Sequence, residues 1–87
     1  MDCGSIKTQS LRVKNEAASI AQKIAKTVKH RRKLLLLSQE ALADKAGIDR
    51  TYASQIERGI ANPSLAVLCA VAKALDISFI ELISDED

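Results

Sequence analysis

Eighty-seven residues, 47% of them apolar and 28% charged, have the balance of one small globular domain, without the charge excess of a disordered chain or the apolar excess of a membrane protein. Three glycines, one proline and two aromatic residues are too few for the turns and aromatic pairs of an architecture built from many short strands, so an all-α domain is expected. The net charge of +2 conceals a split: residues 1 to 37 carry nine lysines and arginines against two acids, residues 38 to 87 four against nine, so one side of the domain can face a polyanion.

Residues 1 to 15 show no sustained period, and Gly4, Ser5, Thr8 and Ser10 weaken a helix there; the segment reads as a loose arm. It lacks the contiguous apolar core of a secretory signal, and Cys3 and Cys69 are the two cysteines, so the expected setting is a reducing cytoplasm. From Glu16 the pattern changes. Ile20, Ile24 and Val28 recur four apart with Ala17, Ala21 and Ala25 beside them, and Gln22, Lys23, Lys26 and Lys29 lie opposite, which predicts an amphipathic helix to about Lys33.

After the run Leu34 to Leu37, Ser38 is an N-cap for a second helix over 39–46, and Gly47 is its stop. Asp49 then caps a third helix from Arg50 to about Arg58, closed by Gly59. Ser64 caps a fourth, running to about Leu75 with an apolar stripe of Leu65, Leu68, Val71, Ala72 and Leu75. Within it Cys69 reads as a small buried hydrophobe, and the apolar run Leu65 to Ala72 is far below the roughly 18 residues that cross a bilayer. Ser78 and Glu81 form a capping box, with Ile77 and Leu82 as a hydrophobic staple, opening a fifth short helix before the acidic tail at 85–87. The folded domain is therefore expected over 16–84.

The informative unit is Gln39 to Gly59, QEALADKAGIDRTYASQIERG, which reads as a helix-turn-helix. Ala43 supplies the small residue where two helices cross, and Gly47 the turn. Leu42, Ala46, Ile48, Ala53 and Ile56 fall on the inner side, and Arg50, Thr51, Ser54 and Gln55 on the outer side of the second helix. That outer face suits the major groove: Arg50 can donate two hydrogen bonds to guanine, Thr51 can bond a base or pack on thymine, and Gln55 can pair with adenine. Gln39, at a helix N-terminus with free N–H groups, makes a seat for phosphate. Tyr52 hydrogen-bonds a phosphate, lies against the groove wall or packs over Ile56. With Tyr52 and Phe79 as the two aromatic residues, a stacking platform for single strands is not built, and double-stranded DNA is the expected nucleic acid.

LSQEALADKAGI, IERG, NPS and AKALDIS resemble the wording of the lambda-repressor-like, or xenobiotic-response-element type, helix-turn-helix family over about residues 20 to 83. IDRTY with IERG in a short chain is similar, more narrowly, to restriction-modification controller proteins. The resemblance implies a compact five-helix DNA-binding domain, here with an extended basic first helix, acting as a transcription regulator of its own operon. It places Arg50, Thr51 and Gln55 at base-reading positions with Ser54 beside them, and Gln39, Arg58 and Asn62 where phosphates are held. It also implies a structural ion pair between Arg32 and Glu57. Departures from the family wording are Leu34, Leu35 and Leu36, where glycine and polar residues are usual, and Arg31, where an apolar residue is usual. These leucines either pack under the first helix or contact another chain. Lys7, Arg12 and Lys14 of the arm either track the DNA backbone or minor groove or belong to a disordered terminus.

One recognition helix reads too few base pairs to be selective, so a two-fold homodimer is expected, with half-sites about 34 Å apart. Phe79, Ile80, Leu82 and Ile83 of the fifth helix are the expected interface. An enzyme is the rival class, but His30 is the single histidine, no Cys/His cluster suits a metal, and the glycines are scattered, so neither catalysis nor a cofactor is expected. The other rivals are an antitoxin, which binds its toxin as well as its promoter, and a phage-type repressor. A toxin or RNA polymerase would be the additional protein partner.

Overall fold

Ser38, Asp49, Ser64 and Ser78 each accept a hydrogen bond from a backbone N–H two or three residues further on: Ala41 at 3.0 Å, Thr51 at 3.1 Å, Val67 at 3.3 Å and Glu81 at 3.0 Å. Each bond satisfies a donor that the first turn of a helix leaves open, which is why the helices start where they do. The computed structural model describes residues 3–84 and contains α1 (Cys3–Leu34), α2 (Gln39–Ala46), α3 (Arg50–Glu57), α4 (Leu65–Ala74) and α5 (Phe79–Ile83). There are no strands among the described residues. At α5 the Ser78 cap is reciprocated by Glu81, which accepts from the Ser78 N–H at 2.9 Å.

The first four helices end alike. Leu36, Gly47, Gly59 and Asp76 sit in the left-handed region with φ of 59°, 71°, 73° and 61°. The N–H that follows each one reaches back to the last turn: Leu37 to Arg32, Ile48 to Ala43, Ile60 to Gln55 and Ile77 to Ala72, all at 2.9 to 3.1 Å. This Schellman geometry reverses the chain within two residues. At Gly47 the dihedral alone calls for glycine, since a Cβ there meets nothing within 4 Å. At Gly59 a Cβ would also stand 2.4 Å from Nε2 of Gln22, so a side chain there would displace the flexible end of that glutamine on α1 in addition to straining the backbone.

The core gathers one stripe from every helix. Ile24 and Val28 come from α1, Leu42 from α2, Ile56 from α3, Leu68, Val71 and Ala72 from α4 with Leu75 just beyond it, and Leu82 from α5. Burying a side chain of this size contributes roughly 1.5 to 3 kcal/mol, and a small domain depends on nearly all of them. Ala43 and Ala53 are buried as well and let α2 and α3 approach closely. Around this core α1 packs on α3 and α5, α2 on α3 and α4, and α4 on α5.

Four sequence expectations need correction. The arm expected over residues 1 to 15 is helical from Cys3, as part of a 32-residue α1. Extending a helix already anchored in a core adds one hydrogen bond per residue without a new nucleation cost, which outweighs the low local propensity of Gly4, Ser5, Thr8 and Ser10. At about 1.5 Å per residue, α1 spans most of the protein's longest dimension, 51 Å. Cys69 is exposed, not buried, and Leu65 is 66% exposed. In LAVLCAVA no polar residue marks the solvent side; burial follows Leu68, Val71, Ala72 and Leu75, leaving Cys69 outside and Leu65 beyond the core edge. Leu82, expected at an interface between chains, is 0% exposed within its own core, where Ile77 packs as its staple partner. The acidic tail at 85–87 lies outside the described residues.

Candidate nucleic-acid interface

The bend at Gly47 sets the start of α3 beside the start of α2. Leu42, Ala43, Ala53 and Ile56 are buried on the inner side, and Ala46 and Ile48 pack partly buried against the core. On the outer side Arg50 and Thr51 are exposed, and Ser54 and Gln55 are half-buried. Gln39, Arg50, Thr51 and Ser54 line one surface notch. It is flanked by two helix N-termini, whose free N–H groups and dipoles favour an anion, and Arg50 adds a full positive charge. Gln55 lies outside this notch; its carbonyl oxygen accepts from Ile60 and Ala61 and holds the turn after α3.

Behind the notch stands a buried ion pair. Arg32 donates from Nε and Nη2 to the two carboxylate oxygens of Glu57, the second at 3.0 Å, and from Nη1 to the carbonyl oxygen of Leu37 at 2.8 Å. The Glu57 side chain is 1% exposed. A forked contact of this kind fixes both orientation and charge. Hydrogen bonding to Glu57 holds the Arg32 guanidinium above its ordinary pKa; burial opposes this, and the Coulomb attraction of the same carboxylate adds to it. Gln39 joins the pair: its Nε2 donates to Oε1 of Glu57 at 3.2 Å. No buried side-chain nitrogen or oxygen among the described residues is left without a partner.

Arg58 caps the C-terminus of α3 and is exposed, and Asn62 is exposed in the loop before α4. Neither lines the notch; Asn62 borders an apolar groove with Ile20, Ala21, Ile24, Pro63 and Leu68. Tyr52 is half-buried and packs against the core. On α5, Phe79 and Ile83 are half-buried against the core, while Ile80 is 69% exposed. The Gln39–Glu57 contact joins residues 18 apart that the helix crossing alone brings together, so only the packed geometry reveals it.

A helix-turn-helix family model matches residues 28–82. The chain is 38% identical over 65 residues to the control protein C.SmaI of Serratia marcescens, covering 75% of this chain and 77% of the relative. It is 41% identical over 63 residues to the immunity repressor protein of Bacillus phage phi105, of which the match covers 44%. Two mycobacterial helix-turn-helix regulators are covered over 36% of their length, so the chain spans less than half of several curated relatives it matches. Among solved structures it is similar to the restriction-modification controller protein C.AhdI from Aeromonas hydrophila, with 40% identity and a TM-score of 0.69 over 71% of this chain and 94% of the other.

Proposed function

Because the chain belongs to this helix-turn-helix family, we propose that it is a sequence-specific, double-stranded-DNA-binding transcription regulator of the restriction-modification controller kind, acting as a homodimer on a two-fold operator. The observation that carries the reading is the notch in which Gln39 meets the exposed Arg50 and Thr51 and the half-buried Ser54. There the α2 N-terminus seats the sugar-phosphate backbone while α3 lies along base edges in the major groove. Arg50, Thr51, Ser54 and Gln55 read bases; Gln39, Arg58 and Asn62 hold phosphates. Two copies double the length of sequence read, and Ile80 is the apolar residue on α5 left for that contact.

Binding to a duplex selected from a random pool, measured against salt, tests this. Several phosphate contacts predict an affinity loss on the order of 10³ between about 50 and 200 mM salt. Arg50→Ala is expected to lose about 1 to 3 kcal/mol at one base position, with non-specific binding nearly intact. Affinity that is flat with salt and indifferent to sequence refutes the proposal. A phage-type repressor is the second reading, favoured by the likeness to the phi105 immunity repressor. Flanking genes for an endonuclease and methyltransferase, or for phage functions, decide between the two.

A further inference from the structure

Glu57 is the one charged side chain that is buried among the described residues, and it does more than pair with α1. Arg32 occupies both of its oxygens, and Gln39 adds a third donor to Oε1. An ionised carboxylate only accepts hydrogen bonds, whereas a carboxamide can present either an oxygen or an NH₂. Rotating the Gln39 amide by half a turn would set two oxygens against each other, so the NH₂ is held toward Glu57. What Gln39 keeps for a ligand is its carbonyl oxygen and its second N–H, on the wall of the notch it shares with Arg50, Thr51 and Ser54. Glu57 itself is too deeply buried to reach a ligand.

We propose that Glu57 is a positioning residue for DNA: by holding the Gln39 amide in one orientation, it fixes the polar groups that the start of α2 offers to the duplex backbone. This rests on the reading of α2 and α3 as a duplex-binding unit. Arg32 braces the carboxylate from α1, so the first helix supports a contact made on the opposite side of the ion pair. A Glu57 that merely fastened α1 to α3 would affect DNA binding through the fold alone, whatever residue stood at position 39.

A double-mutant cycle on the full chain separates the two, using Glu57→Gln, Gln39→Ala and the double variant, with a labelled selected duplex and a thermal melt for each. Glu57→Gln is expected to weaken duplex binding roughly threefold to tenfold when Gln39 is present and to have no further effect in the Gln39→Ala background. The loss of melting temperature should be the same in both backgrounds, because the Arg32 contact is changed in both. Equal weakening of binding in both backgrounds overturns the proposal. If Glu57→Gln does not fold, the wild-type chain still decides: the side-chain amide protons of Gln39 should exchange with water about tenfold more slowly than those of Gln55, as a charge-assisted hydrogen bond requires. Equal exchange with intact duplex binding overturns this inference alone. Slow exchange in a wild-type chain that binds no duplex at low salt overturns the regulator reading, and the inference with it.

Discussion

Arg31 of α1 donates from Nε to the carbonyl oxygen of Leu75 at 3.0 Å, and its Nη2 lies 3.4 Å from the carbonyl oxygen of Asp76. Both carbonyls belong to the C-terminal end of α4, where helical partners run out and the dipole is negative. A cation on α1 thereby caps a helix on the other side of the core and steadies the left-handed turn at Asp76 that leads into α5. Arg31→Met keeps the aliphatic stem and removes the donors. It is expected to destabilise the fold by about 1 to 2 kcal/mol, lowering the melting temperature by roughly 4 to 8 °C per kcal/mol. An unchanged melt by circular dichroism would show that the cap contributes nothing.

Removing Glu57 should have a larger effect. Glu57→Ala leaves the Arg32 guanidinium partly buried opposite a void, and breaking a buried pair from one side costs about 3 to 5 kcal/mol. Because the folded-state pKa of Arg32 is raised, the stabilisation is fully present below the pKa of a free guanidinium and is lost only as the pH climbs through the higher folded value. The Glu57→Ala penalty, read by urea titration, should therefore be the same at pH 6 and pH 9. A penalty that shrinks by half across that interval would mean that Arg32 is not the partner that matters.

The parts of this fold that were legible in the sequence are those set by local chemistry. Ser38, Asp49, Ser64 and Ser78 announce helix starts because capping needs nothing beyond the next turn, and Gly47 and Gly59 announce stops because a positive φ suits glycine. The other two stops, at Leu36 and Asp76, were not legible as left-handed turns: leucine disfavours that conformation, and aspartate, although it tolerates it, marks a turn far less specifically than glycine does. The same division runs through the candidate site. The outer side of α3 follows from helical period, whereas the tie between Gln39 and Glu57, the Arg31 cap and the inward turn of Leu82 depend on which helices meet.

Leu36 gives a prediction with the opposite sign. It adopts φ of 59° with its side chain 92% exposed, so it carries the steric penalty of a left-handed leucine with almost no burial to offset it. That penalty is roughly 1 to 2 kcal/mol per residue. Leu36→Gly should remove most of it and, after the greater entropy of glycine in the unfolded chain, raise stability by about 0.5 to 1 kcal/mol. A rise in the denaturation midpoint with an unchanged slope would establish the strain. A fall would mean that the leucine side chain makes a stabilising contact in solution.

Ile80 and Leu82 are two residues apart on α5 and should fail in different ways. Ile80 is exposed and Leu82 fully buried, so a charge at the first should leave the fold intact, while truncation of the second opens a cavity. Leu82→Ala is expected to cost about 2 to 5 kcal/mol, a large share of the stability of a domain this small. Ile80→Asp should melt within a few degrees of the wild type, sediment as a monomer where the wild type sediments as a dimer, and bind a two-fold operator at least about tenfold more weakly, since a charge would then have to be buried between the two chains. If Ile80→Asp still sediments as a dimer, α5 is not the contact between copies. The interface must then be sought among the other exposed apolar residues, such as Ile60, Leu65 and Ile20, the last of which lines the groove that Asn62 borders.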